Sequence, residues 1–266
     1  MNYSHKYHAG NFADIVKHYT LISTIEYYKN KNKPIIFFDS HAGYGLYDLN
    51  SPEANRSGEA SFGVKSVFDK LEETAPVYYN IIKNYNENKL RYYPGSSLII
   101  SHLMREIDRA FFIDSHKPAI DNLIQYKKPN IILHNRDGFE AIKALLPTTE
   151  KRGVIIIDPA FEKHKDFESI KSSVSYLLKS FSNSTIIIWY PVKEIDIKDE
   201  LIKITETNKK QYLNIRTKIM HPDFQFGMNL CDTFVINPTM HLKNDMTNLK
   251  ETLINCFYDL DIKGNC

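Results

Sequence analysis

An α/β fold built on a mostly parallel sheet is predicted by three features of this 266-residue sequence. Short β-branched runs alternate with segments of helical periodicity, the pattern of βαβ units. Several of those runs end in an acidic residue, at the strand end where open parallel sheets place their ligands. One run, Val154-Ile155-Ile156-Ile157, is apolar throughout and reads as a strand buried on both faces. Asp158-Pro159-Ala160-Phe161 follows it at once, so a carboxylate, a backbone carbonyl and an aromatic ring are expected at the mouth of a cleft.

Composition sets the class. Hydrophobic residues make up 42% of the chain and charged residues 25%, which is ordinary for a soluble globular protein. No apolar run approaches the roughly 18 residues of a membrane helix. Met1-Asn2-Tyr3-Ser4-His5-Lys6 lacks the apolar core of a secretory signal. Cys231, Cys256 and Cys266 have no zinc-ligand spacing and read as reduced thiols of a cytoplasmic protein. A formal net charge of +2 permits a nucleic-acid partner without requiring one, because a local basic patch suffices.

In chain order, Asn11 is the candidate N-cap of a helix reaching about Tyr28, with Ile15, His18, Tyr19, Ile22 and Ile25 on one face. Spacing alone makes Lys17 and His18 surface and core decoration of that helix. Pro34–Asp39 is the first strand. The loop Ser40-His41-Ala42-Gly43-Tyr44-Gly45 after it allows close backbone approach to a ligand, but lacks the third glycine of a dinucleotide fingerprint. Residues 46–95 break the βαβ rhythm. They hold two helical segments, Glu59–Leu71 and Pro76–Asn86, and no convincing strand, so a small helical subdomain is expected, inserted into a domain made of 1–45 and 96–266.

A helix over Ser96–Met104 leads to the second strand, Ala110–Asp114, whose terminal acid sits where nucleotide sites hold ribose hydroxyls. The helix Pro118–Tyr126 and the third strand Asn130–His134 follow, then Asp137-Gly138 opening the helix Phe139–Leu145. Beyond Phe161 come a helix over Ser169–Ser180, a fifth strand over Thr185–Val192 and a helix over Asp199–Glu206. Tyr212–Met220 and Leu230–Ile236 alternate enough to pair as antiparallel strands, and the tail is expected to hold one amphipathic helix, Met246–Tyr258. The sum is a seven-stranded, mostly parallel sheet with one antiparallel strand.

Asp158-Pro159-Ala160-Phe161 resembles the Asp-Pro-Pro-Tyr/Phe motif of S-adenosylmethionine-dependent amino methyltransferases, with Ala160 in place of the second proline. A wider set of residues is more specific: Tyr3, the run from His8 to His18, Asp39-Ser40-His41-Ala42-Gly43, Arg91-Tyr92-Tyr93-Pro94-Gly95-Ser96, Arg152-Gly153, Trp189-Tyr190-Pro191-Val192, Gly227-Met228 and Val235-Ile236-Asn237-Pro238. Together they resemble the 23S ribosomal RNA adenine-N6 methyltransferases of the J type. The resemblance implies a Rossmann-like class I methyltransferase fold and S-adenosylmethionine as cofactor. It implies Lys17, His18, His41, Ser96, Asp114, Asp137, Gly138 and Asp158 around that cofactor, with Asp114 on the ribose and Asp137 on the adenine amine. It also implies Asp158 as the catalytic acid and Tyr3 near the RNA. Pro159 and Phe161 join Tyr3 as substrate contacts, the proline through its carbonyl and the phenylalanine by stacking on the flipped base. No metal is required, and a monomer is expected.

Adenine N6 is a poor nucleophile because its lone pair is delocalised into the ring. Two acceptors, the Asp158 carboxylate and the Pro159 carbonyl, can draw the amine out of conjugation. Ala160 frees the φ angle that a second proline would fix, which predicts a modest loss of about 0.4–1 kcal/mol. Lys6, Lys17, Arg56 and Lys65 are the candidate phosphate contacts. Two other readings stay open at this point: a DNA adenine-N6 methyltransferase, and a homologue that binds cofactor and RNA with impaired catalysis. A metal site on His5, His8, His18 and His41 is disfavoured, because no cysteine or glutamate joins them at ligand spacing.

Overall fold

The structure is a computed structural model that describes residues 7–161, 165–224 and 228–266. Tyr3, Lys6 and Gly227 lie outside the described residues. The chain runs through α1 (Phe12–Lys29), β1 (Ile36–Asp39), β2 (Leu46–Asp48), α2 (Pro52–Ser57), a 3₁₀ turn at Glu59–Phe62, α3 (Val64–Thr74), α4 (Pro76–Lys83), β3 (Tyr92–Pro94) and α5 (Ser96–Leu103). It continues through β4 (Arg109–Asp114), α6 (Lys117–Leu123), β5 (Ile131–Asn135), α7 (Gly138–Leu145), β6 (Gly153–Ile157) and α8 (Lys165–Ser180). The last elements are β7 (Thr185–Pro191), α9 (Lys198–Thr207), β8 (Tyr212–Ile219), β9 (Leu230–Ile236), α10 (Leu242–Ile254) and β10 (Tyr258–Gly264). No helix among the described residues is long and apolar enough to cross a membrane.

The main sheet has eight strands in the order β10-β8-β9-β7-β6-β1-β4-β5. From β7 to β5 every pairing is parallel. β9 runs against both β7 and β8, as the expected antiparallel strand does. The eighth strand, β10, is an addition to the expected seven and pairs antiparallel with β8 along the edge. The tail therefore is not helical to Tyr258. α10 stops at Ile254, and Phe257, at φ 66°, turns the chain into a strand that alternates buried Tyr258 and Leu260 with exposed Asp259 and Asp261.

β-Branched and aromatic residues build this sheet because both of its faces are covered. Phe37, Phe112, Val154, Ile156, Ile187 and Val235 point to a cluster shared with α1, α3, α4 and α10. Phe38, Phe111, Ile155, Ile157, Ile186 and Ile188 point to the opposite cluster, under α7, α8 and α9. Full burial of each such side chain stabilises by roughly 1.5–3 kcal/mol, which is why the runs are apolar without alternation.

Residues 46–95 contain more order than their sequence promised. β2 and β3 pair antiparallel at the neck of the segment, Leu46 against Pro94 and Asp48 against Tyr92. Three-residue strands leave no periodicity to read. The segment also shares the main core through Val64, Val67, Leu71, Tyr78, Ile81, Ile82 and Tyr93. Its tightest tie lies at Gly63, where the Val64 N–H donates to the Gly10 carbonyl at 2.7 Å and an added Cβ would lie 2.0 Å from that same oxygen. We expect Gly63→Ala to lower unfolding stability by about 1–3 kcal/mol through this backbone clash. Urea unfolding with unchanged stability would show that the segment is not anchored there.

Candidate active site

The strand order reverses at β1. β4 and β5 extend to one side of it, and the chain then returns to place β6 on the other. Such a reversal opens a crevice at the carboxyl ends of the two central strands. Asp39 ends β1, Asp158 follows β6, and Asp114 ends β4, so three carboxylates stand on neighbouring strand ends. The N-terminal half of α1 faces this crevice. One cavity there is lined by Asp14, Lys17 and His18 from α1, by His41 and Ser96, and by Asp158 and Trp189.

Lys17 is the centre of the cavity wall. Its ammonium donates to Asp158 Oδ2 and lies 2.7 Å from Asp14 Oδ1. Burial alone would lower its pKa, but Asp14 and Asp158 outweigh that and hold it well above the ordinary lysine value. Burial likewise opposes ionisation of Asp14, yet Lys17 keeps that carboxyl below its usual range. The Asp158 carboxylate has no other hydrogen-bond partner among the described residues, which leaves Oδ1 to accept from a ligand.

His18 is neutral. Burial lowers its pKa to about 3. Its Nδ1 lies 2.7 Å from the Tyr93 hydroxyl, which in turn lies 2.6 Å from the Tyr78 hydroxyl, so a hydrogen-bonded chain runs from the cavity into residues 46–95. A second tie joins the same regions. Glu59 accepts from Asn11 Nδ2 at 3.1 Å and pairs with His8 Nδ1 at 2.8 Å.

The loop after β1 is fastened to its neighbours. Gly43, at φ 61°, turns its N–H to Asp114 Oδ2 at 2.9 Å, and the His116 N–H reaches Asp114 Oδ1 at 2.7 Å. Asp39 is fully buried and accepts from Ser96 Oγ at 2.6 Å. Burial, which the Ser96 bond only partly offsets, raises the Asp39 carboxyl to about 7. His41 Nδ1 pairs with Ser40 Oγ at 2.8 Å, and its ring meets Phe139 edge-on. Gly138 is where α7 touches this loop, since a Cβ there would lie 2.1 Å from the Ser40 carbonyl.

Of the residues singled out in the sequence, Lys17, His18, His41, Ser96 and Asp158 line one cavity. Asp114 and Gly138 stand behind it as fasteners of the β1 loop. Asp137 N-caps α7, accepting from the Glu140 N–H at 2.9 Å. Pro159 is buried, and Phe161 is half-buried with its ring against Trp189 and Phe167 at 5.5 and 5.2 Å. Lys17 cannot serve as a surface phosphate contact, because both carboxylates already hold it inside the cavity; Arg56 and Lys65 are exposed. Asp14 and Trp189, which line the cavity, and Asp39, buried behind Ser96, are residues that sequence reasoning left without a role. Asp14 could have been found from its i,i+3 spacing to Lys17. Among the described residues no group of three or more histidine, cysteine, aspartate or glutamate side chains is placed to hold a metal ion.

The cavity chemistry fits S-adenosylmethionine. The net-anionic Asp14–Lys17–Asp158 group suits a ligand bearing a sulfonium and an ammonium.

Comparison with known proteins agrees with this geometry. The family model described as "Ribosomal RNA large subunit methyltransferase D, RlmJ" matches residues 32–260. The chain is 34% identical to the Ribosomal RNA large subunit methyltransferase J of Escherichia coli, over 94% of this chain and 91% of that one. The protein of the same name from Haemophilus influenzae is also 34% identical, with the same coverage. Among solved structures, protein LPL1258 of Legionella pneumophila superposes with a TM-score of 0.87 at 29% identity, covering 97% of this chain and 98% of that one. A match of this length has one outcome: the chain belongs to the RlmJ family of large-subunit ribosomal RNA methyltransferases.

Proposed function

We infer that this protein methylates the N6 amine of one adenine in 23S ribosomal RNA, with S-adenosylmethionine as methyl donor. The observation that carries the reading is the Asp158 carboxylate at the β1/β6 crevice, one oxygen held by Lys17 and the other open, in a chain of the RlmJ family. When bound, S-adenosylmethionine supplies an electrophilic methyl group on a sulfonium. Asp158 Oδ1 and the Pro159 carbonyl accept the two N–H bonds of the amine and turn its lone pair toward that methyl. With the methyl moved from sulfur to N6, the proton displaced from N6 would pass to Asp158 or to water. Most of the acceleration is positional.

The remaining assignments are ours. Lys17, His18, His41 and Ser96 face the cofactor from the cavity wall. Asp114 uses its remaining lone pairs on the ribose, and Asp137 accepts from the cofactor's adenine amine. Phe161 and Tyr3 contact the RNA. Residues 46–95 act as an inserted unit that carries Arg56 and Lys65 toward phosphates. We place the enzyme in the cytoplasm as a monomer.

Asp158→Ala should abolish transfer of tritiated methyl to 23S rRNA while leaving the protein folded, at a reduced melting temperature, because Asp14 remains to pair Lys17. Asp158→Asn should be nearly as damaging, since an amide offers one acceptor and takes no proton. Mapping of the product should find one N6-methyladenine, with bare duplex DNA unmodified. Wild-type transfer by Asp158→Ala would end the amino-methyltransferase reading.

A second expectation concerns pH. The folded pKa of Asp39 lies above its ordinary 3.8, so on its own it contributes stability that is fully present below 3.8 and lost as pH rises through about 7. A cationic cofactor favours the ionised carboxyl, so binding releases a proton within that window and affinity rises with pH across it. Calorimetry in buffers of different ionisation enthalpy should detect that proton. Asp39→Asn should remove it; release that persists in Asp39→Asn would assign the proton elsewhere.

A further inference from the structure

Asp14 touches neither the proposed methyl donor nor the proposed acceptor in the account above, yet it is the most constrained side chain of the cavity. Oδ2 accepts from the Gly10 N–H at 2.8 Å, and Oδ1 lies 2.7 Å from the Lys17 ammonium and 3.9 Å from His18 Nε2. Its own N–H is capped by Asn11 Oδ1 at 3.0 Å, and Asn11 is held in turn by Glu59. The side chains of Asp14, Lys17 and Asp158 are only 15%, 10% and 14% exposed, so their mutual attraction is little screened.

A lysine facing a single carboxylate has both arrangements open to it in this molecule, one oxygen or two. Lys117 donates to both oxygens of Asp121, at 2.6 and 2.7 Å, whereas Lys29 donates to Glu26 Oε1 alone at 2.6 Å. Lys17 donates to Asp158 through Oδ2, and Asp14 holds the same ammonium from the other side. Were Asp14 uncharged, the flexible lysine stem would let the ammonium swing across both oxygens of Asp158 and occupy the acceptor that the target amine needs.

We propose that Asp14 is a positioning residue for methyl transfer: it draws the Lys17 ammonium to one side, so that Asp158 presents a free oxygen to the adenine amine. The proposal rests on Asp158 being the acceptor of that amine. It assigns Asp14 a part in the turnover step and none in RNA affinity. It also explains why a buried site carries three charges where a single carboxylate would serve as acceptor.

The test is a double-mutant cycle in the full-length protein, with methyl transfer to 23S rRNA as readout and melting curves for every variant. Asp14→Asn keeps the size and the Gly10 contact, and it should lower kcat about 10- to 100-fold, the scale of a misplaced catalytic group, with KM for RNA unchanged. Asp14→Glu keeps the charge and should recover part of that loss. In a Lys17→Met background Asp14→Asn should cost nothing further, since the residue through which it acts is gone. A wild-type kcat in Asp14→Asn, or the same fractional loss with and without Lys17, overturns the proposal. A second readout needs no RNA. In NMR titrations of lysine labelled at Cε, the pKa of the Lys17 ammonium should fall in Asp14→Asn, and an unchanged value overturns the proposal as well. A wild type that transfers nothing to 23S rRNA sinks the functional reading instead, and the NMR result then decides on Asp14 alone.

Discussion

A lysine ammonium buried between two carboxylates holds this site together. Lys17 belongs to α1 and Asp158 to the end of β6, 141 residues later, so their bond pins the first helix over the central crevice of the sheet. Burying a charge is costly unless it is paired and hydrogen-bonded. Here the cost is offset only when α1, β6 and the loop before α1 are all in place. The helix therefore sits where the chemistry needs it. The same bond that positions α1 also determines which oxygen of Asp158 is occupied.

The sheet supplies the second constraint. The strand reversal at β1 sets Asp39, Asp158 and Asp114 on adjacent strand ends, and like charges so placed cannot all be ionised cheaply. Each is handled in a different way. Asp114 spends its oxygens on two backbone N–H groups. Asp158 takes an ammonium. Asp39 has a serine hydroxyl and the 3.3 Å contact from the His41 N–H, and burial leaves it near neutrality's edge, at about 7.

Much of this was legible in the sequence, for physical reasons that differ from residue to residue. The five parallel strands were readable because strands buried on both faces must be apolar throughout, as Val154–Ile157 is. Asp158 was readable because an acid directly after such a strand has only the crevice to face. β10 was not, since its pairing depends on β8 some forty positions earlier and its alternating aspartates read as a polar tail. β2 and β3 are too short to carry a period. Lys17 was misjudged from spacing as a helix-surface cation and placed in the site only by resemblance, because the carboxylate that draws it inward comes from a distant strand. Asp14 escaped altogether. Its i,i+3 relation to Lys17 is visible, but a surface pair with that spacing looks the same in one dimension.

The turn after Asp158 shows how the fold replaces one stiffening device with another. Ala160 lacks the ring that would fix φ in an Asp-Pro-Pro motif, so the Pro159 carbonyl is not aimed by covalent geometry. Phe161 follows it in the left-handed region, at φ 53°, a conformation that costs a residue with a Cβ about 1–2 kcal/mol. Such strain persists only where the surroundings over-determine it. They do so here: the Phe161 ring packs edge-on against Trp189, which lines the same cavity as Asp158, and against Phe167 at the start of α8. The turn is thus held from its side chain inward, with Trp189 on β7 as the fixed wall. An aromatic at 161 therefore serves the geometry of the turn first. The same reasoning accounts for a turn that stays ordered without a second proline.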